Sequence, residues 1–148
     1  GVLPEALGIA YLETGVDRYK EVAQATLDFL IDHSFEGSVC VPVGQEGWFL
    51  RGEEKGRYDQ QPEEVSALVQ ACDVMARITG DERYEQCRYD AFNWFLGNNT
   101  IERFIYDHES GGCYDGLGEN SVNLNQGAES TVMYLLARLV FERSGDNV

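Results

Sequence analysis

A register of 65 residues runs through this chain and decides most of what it can fold into. Gln61-Pro62-Glu63-Glu64-Val65-Ser66 returns as Gln126-Gly127-Ala128-Glu129-Ser130-Thr131, matching Gln61 to Gln126, Glu64 to Glu129 and Ser66 to Thr131. Thr14-Gly15 returns at the same spacing as Thr79-Gly80 and Ser144-Gly145, and Asp17-Arg18-Tyr19 returns as Glu82-Arg83-Tyr84. A period that does not drift belongs to a repeat architecture, in which one supersecondary unit stacks on the next to bury a shared apolar face.

Apolar spacing names the unit. Leu3, Ala6, Leu7, Ala10 and Tyr11 recur at intervals of three and four, which predicts a helix over 3–13; Gly15 stops it. Tyr19, Val22, Ala23, Thr26, Phe29 and Leu30 predict a second helix over 17–33, joined to the first by a very short turn. Between 34 and 61 the helical period breaks, and five glycines punctuate valines and aromatics. This predicts a long structured loop with room for a short hairpin. Pro62 suits a first helical position, and Val65, Leu68, Val69, Cys72 and Met75 give the next helix its buried stripe.

Its partner runs from Asp81 to about Leu96, with Tyr84, Cys87, Ala91, Trp94 and Phe95 inward, and Trp94 and Phe95 read as core. A second long loop over 98–126 precedes a final helix over 127–143. The expected organisation is one domain or fragment, 1–148: hairpin 1–33, loop 34–61, hairpin 62–97, loop 98–126 and a last helix. That is an all-α fold, a partial (α/α) toroid of repeated hairpins with long rim loops. Gly1 aligns with Ser66, and the last repeat lacks a second helix. Leu135, Leu136, Leu139 and Val140 are therefore expected to await a neighbour, either the remainder of a longer parent chain or a second copy.

Composition narrows the partners. The chain has 148 residues, 43% of them hydrophobic, and 26 acidic against 11 basic residues give a formal net charge of -15. Such a field repels phosphate backbones and anionic headgroups, so neither nucleic acid nor a membrane surface is expected. No apolar run approaches the roughly 20 residues of a membrane span, and residues 1–10 carry no signal-peptide pattern. Four cysteines without CxxC spacing indicate no disulfide framework, which makes a cytoplasmic setting the expectation.

Several stretches carry a resemblance: Tyr58-Asp59-Gln60-Gln61-Pro62, Thr79-Gly80-Asp81-Glu82-Arg83-Tyr84 and Trp94-Phe95-Leu96-Gly97. Gly111-Gly112-Cys113-Tyr114-Asp115-Gly116-Leu117 and Asn123-Leu124-Asn125-Gln126-Gly127-Ala128-Glu129-Ser130 extend it over most of 58–131. They resemble the six-hairpin glycosidase-like superfamily. In particular they resemble an uncharacterised toroid domain attached to, or encoded beside, bacterial and archaeal sugar-active enzymes, including group 1 glycosyltransferases. A six-hairpin ring at this period needs on the order of 390 residues, so one such chain holds about half a ring. The resemblance implies carbohydrate handling, without catalytic residues to transfer one by one.

With 62–78 and 127–143 as inner helices, both loops deliver their ends to one rim. It collects Trp48, Tyr58, Asp59, Gln60, Gln61, Glu64, Tyr106, Asp107, Tyr114, Asp115, Asn125, Gln126 and Glu129. Aromatic faces stack on the C–H surfaces of sugars while carboxylates and amides take hydroxyls. Glycoside hydrolysis needs one carboxyl held protonated and a second acting as base or nucleophile. Asp59, Glu64, Asp115 and Glu129 are the acid–base candidates. Trp48, Tyr58, Gln61, Tyr114, Asn125 and Gln126 are the candidates for positioning the sugar.

Each has a structural alternative. Glu64 and Glu129 occupy the capping-box position after Gln61 and Gln126 and sit in a first helical turn, where the dipole favours an acid. Asp59 and Asp115 suit turns. The two histidines form no HxxxH or HExxH pattern, and the acidic stretch after Asp107 lacks the twelfth-position ligand of a calcium loop, Gly118 standing there. No metal or cofactor is expected. The function anticipated is a carbohydrate-active, glycosidase-like domain that binds an oligosaccharide and can cleave or transfer it. The alternatives are a non-catalytic glycan-binding or glycosyltransferase-docking module, and a structural oligomerisation element.

Overall fold

The computed structural model describes residues 1–47 and 49–145, the side chain of Ser144 excepted. Five helices carry the fold: α1 (Val2–Thr14), α2 (Asp17–Ser34), α3 (Pro62–Thr79), α4 (Glu82–Asn93) and α5 (Ala128–Ser144). Two short antiparallel ribbons join them, β1 (Phe35–Glu36) with β2 (Val39–Cys40) and β3 (Gly116–Leu117) with β4 (Val122–Asn123). The molecule is mostly helical, and its long loops use strand pairing to satisfy backbone groups that leave the helices.

The repeated Thr-Gly explains how each hairpin turns. Gly15, Gly80 and Gly145 close α1, α3 and α5 with φ of 68°, 67° and 77°, and each amide donates four residues back. That left-handed conformation is cheap only for glycine. The Thr79 hydroxyl donates to Met75 O (2.7 Å) and accepts from Asp81 N (3.2 Å), and Thr14 does the same between Ala10 and Val16. One side chain thus ties the end of one helix to the start of the next. The 65-residue landmark is a corner.

α3 is the centre. Eleven of its residues are buried, and a helix apolar nearly all round must be covered on several sides. α1 and α5 flank it and α4 packs behind it, while α2 packs behind α1. Gly8 lets α1 close in, since a Cβ there would lie 2.6 Å from Val74 Cγ1. Ser66 Oγ donates to Met133 O (2.7 Å) and so joins α3 to α5. Arg83 and Tyr84 bind Asp28 of α2, the tyrosine hydroxyl at 2.8 Å, so the second copy of that pair packs α4 on α2, whereas Arg18 and Tyr19 stay exposed. An aromatic cluster of Phe92, Trp94, Phe95, Tyr134 and Phe141 fills the space between α4 and α5.

Some expectations need correcting. α4 ends at Asn93, and 94–96 continue as turns, which frees Leu96 to bridge Phe104. Val140 is only 8% exposed because it joins the core beneath α5, whereas Leu135, Leu136 and Leu139 remain exposed. Gln60 is fully buried instead of lying on the rim. The buried indole of Trp94 needs an acceptor, and the Gln60 carbonyl supplies it at 2.8 Å. Among the described residues no helix is long and apolar enough to cross a membrane.

Candidate functional site

The two long loops meet at Gln60 and Leu117, whose amides each donate to the other's carbonyl at 2.9 Å. This bridge brings the chain around Gly116 against Asp59: a Cβ on Gly116 would lie 2.5 Å from Asp59 Oδ1. Asp115 is the next residue back along that strand. Asp59 therefore lies against the neighbour of Asp115, with Asp59 just before the N-terminus of α3 and Asp115 at that of α5.

Their environments push them in opposite directions. Burial drives the Asp59 carboxyl up, the negative charge of Glu46 adds to this, and a hydrogen bond from Gln61 Nε2 (2.8 Å) opposes it. Around Asp115 burial also disfavours the charge, but three donors outweigh it and hold the carboxyl below its ordinary value. Ser130 Oγ and Gly127 N donate to Oδ1, each at 2.7 Å, and Asn125 Nδ2 donates to Oδ2. Gly127 is required for this, since a Cβ there would sit 2.8 Å from Asp115 Oδ1. Asp115 thereby caps α5 from twelve residues upstream, a place where the helix dipole favours an anion.

The two glutamates part company. Gln61 forms no side-chain cap on α3 and spends its amide on Asp59, so the capping box anticipated for Glu64 has no partner. Glu64 Oε2 is buried without a hydrogen bond. Burial pushes this carboxyl up and the Glu63 charge adds to that, while its own amide and the Gly1 ammonium pull the other way. Glu129 is exposed at the start of α5, whose N-cap Gly127 has no side chain to offer.

The remaining predicted residues divide similarly. Asn125 and Gln61 belong to the Asp115 and Asp59 clusters. Gln126 is drawn away to Asp107 Oδ2 (2.9 Å) and Ser110 Oγ (2.9 Å). Tyr58 and Tyr114 are half-buried, each packed against the core along one side. Trp48 lies outside the described residues. Cys113 is not a nucleophile candidate, because burial and then the charge of Asp115 push its thiol up to about 12. Among the described residues no three His, Cys, Asp or Glu side chains converge as metal ligands.

Ser130 and Ser110 were not visible in the sequence as partners of the rim. Nothing local pairs Asp115 with a serine fifteen residues on; the second ribbon and Gly127 create that contact.

Comparison with known proteins bears on the fold. The chain is similar to a solved glycoside hydrolase family 76 (mannosidase) structure, Bt3792 from Bacteroides thetaiotaomicron VPI-5482, with a TM-score of 0.72 at 16% identity. The match covers 97% of this chain and 38% of that one. No family model and no curated protein matches this chain. The likeness is one of fold, a mostly helical scaffold, and this chain spans 38% of the solved structure's length.

Proposed function

We propose that this chain is part of an (α/α) toroid that binds an oligosaccharide on its rim and acts on it through Asp59 and Asp115. The observation that supports the reading is the Gln60–Leu117 bridge, which sets Asp59 against Gly116, the neighbour of Asp115, the two carboxyls being perturbed in opposite directions on a glycosidase-like scaffold. Paired carboxyls driven apart in this way divide into a proton donor and an anion. Asp59, held up by burial, is the acid. Asp115, held ionised, is the base or the anion that steadies positive charge developing on the sugar. Tyr58 and Tyr114 offer ring surface, and Gln61 and Asn125 fix the two carboxyls. Glu129 stands at the margin as an exposed alternative, and Trp48 remains in the sugar-positioning set.

A non-catalytic glycan-binding or glycosyltransferase-docking module is the second reading. It is favoured by the three hydrogen bonds that engage Asp115, which leave that carboxylate occupied as a cap. Four free cysteines fit a reducing, cytoplasmic setting. The strongly acidic charge disfavours nucleic acid as a partner.

The two readings separate on variants assayed for turnover and affinity with mannose- and glucose-containing oligosaccharides. Catalysis predicts that Asp59→Asn stays folded, binds glycan and loses roughly 100-fold or more in turnover, as removal of a general acid does. A binding module predicts no turnover in the parent chain, and lost affinity with Tyr114→Ala. Turnover unchanged in Asp59→Asn overturns the assignment of the acid.

A further inference from the structure

The repeat presents one groove twice, filled in its second unit and open in its first. Phe29 and Leu30 of α2 stand 65 positions before Trp94 and Phe95, and residues 1–4 stand the same distance before 66–69. α1 packs with α2 and α3 as α3 packs with α4 and α5. In the second unit the groove is closed, with Trp94, Phe95 and Val69 fully buried. The lead-in to α3 meets Trp94 there: Gln60 accepts from its indole N–H (2.8 Å), and Val65, in the first turn after Pro62, is fully buried in the same core. In the first unit the equivalent place is a cavity of about 540 Å³ between the starts of α1 and α3 and the end of α2, lined in part by Leu3, Ala25, Phe29 and Ala67. Phe29, the counterpart of buried Trp94, is 55% exposed. The helices on either side are held closely, since a Cβ on Gly1 would lie 2.3 Å from the Ala67 backbone.

An apolar groove between helices is a common seat for a helical turn of polypeptide, and an exposed apolar patch marks such a contact. We infer that this groove docks a segment of a partner polypeptide that runs extended into one helical turn. An apolar residue of that segment sits where Val65 sits one unit on, and another side chain covers Phe29 as Gln60 covers Trp94. The shape is specified by the repeat, because residues 60–65 already follow this course across the equivalent helices. The charge is specified by the groove's margin. Glu63 and Glu64 stand in its wall, and the chain as a whole carries a net charge of -15, so a neutral or basic segment is favoured over an acidic one. The inference is independent of the carbohydrate reading.

The test is calorimetric titration of the purified chain with a synthetic peptide of residues 58–66 carrying Glu63→Lys and Glu64→Lys, which gives it a charge suited to the groove. The titration is repeated with the same peptide carrying Val65→Asp in addition, with dodecanoate, and on the chain variant Ala25→Trp. Ala25 is exposed, so its replacement fills the groove from outside, and a melting curve establishes that the variant is folded. The inference expects the first peptide to bind the parent chain, with binding at least tenfold weaker for the Val65→Asp peptide and at least tenfold weaker on Ala25→Trp. Equal binding of the two peptides, or undiminished binding on folded Ala25→Trp, overturns the groove as the seat. Should Ala25→Trp fail to fold, the pair of peptides decides by itself. No binding of the first peptide overturns the inference, and binding of dodecanoate alone overturns the polypeptide class in favour of a lipid chain.

Discussion

The indole N–H of Trp94 donates to the side-chain oxygen of Gln60 at 2.8 Å, and both residues are fully buried. Through this contact the end of α4 holds the residue that pairs with Leu117 and draws the two rim loops together. Gln60 also donates to Arg57 O (3.0 Å) and to Thr100 Oγ1 (3.4 Å), so both polar atoms of its side chain are engaged inside the protein. Trp94→Phe strands the Gln60 oxygen. Chemical denaturation is expected to show a loss of about 1–3 kcal/mol, the cost of an unsatisfied buried acceptor plus lost packing. A loss below about 0.5 kcal/mol, the level of an ordinary surface change, contradicts that role.

Asp115 is expected to matter for α5 whatever its chemistry. Asp115→Ala withdraws the acceptor from Gly127 N and Ser130 Oγ, and loss of a cap typically costs about 1 kcal/mol. Amide hydrogen exchange reads this locally. Protection is expected to fall in the first turn of α5 and to stay unchanged in α1. Uniform loss of protection across the chain contradicts a local cap.

Acid titration separates two kinds of carboxyl. Asp107 is lowered to about 2 by its bonds from Ser110, the Glu109 amide and Gln126, and Asp115 is lowered as well. A folded value below the unfolded one near 3.9 means the unfolded chain binds more protons in between. Their contribution is complete above about pH 4 and is lost as pH falls through the folded values. Asp107→Asn is expected to flatten stability against pH between about 4 and 2, read by melting temperature across that range. An unaltered slope contradicts the clamp.

Asp59 and Glu64 act with the opposite sign. Raised folded values mean the folded chain binds the extra proton, so each costs stability above its window and the cost is relieved as pH falls through the folded value. Glu64→Leu is expected to raise the melting temperature more at pH 7 than at pH 4. A larger gain at the lower pH contradicts the burial argument.

Leu135, Leu136 and Leu139 form an exposed strip on α5, with exposures of 46%, 37% and 39%. Such a strip on a helix seeks cover. Sedimentation velocity is expected to show concentration-dependent association of the purified chain, abolished by Leu135→Glu with Leu139→Glu, while melting temperature stays within a few degrees. A parent chain that remains monomeric at high concentration contradicts this.

The helices were legible in the sequence because their signals are local. The spacing of Val65, Leu68, Val69 and Cys72 and the Gly15/Gly80/Gly145 stops depend on residues within two turns of one another. The rim was legible only as a collection. That Gln60 turns inward to Trp94 while Gln61 turns to Asp59 depends on the bridge to Leu117, a contact 57 positions away that no period announces. Glu64 and Glu129 share a sequence motif, yet Glu64 is the third residue of α3 and Glu129 the second of α5, and they differ in burial. The first loop folds over Glu64, whereas the second holds its turn at Asp107–Gly112 against Gln126. Repeats predict equivalent helices; the loops between them are where the equivalence ends.

The measurement that tests the central claim most directly is incubation of the purified chain with a panel of mannose- and glucose-containing oligosaccharides. Products are followed by mass spectrometry and melting temperature in the same wells, with Asp59→Asn run in parallel. The account predicts a glycan that raises the melting temperature of both proteins and is converted by the parent chain alone. A panel that neither shifts the melting temperature nor yields products contradicts the carbohydrate reading for this chain.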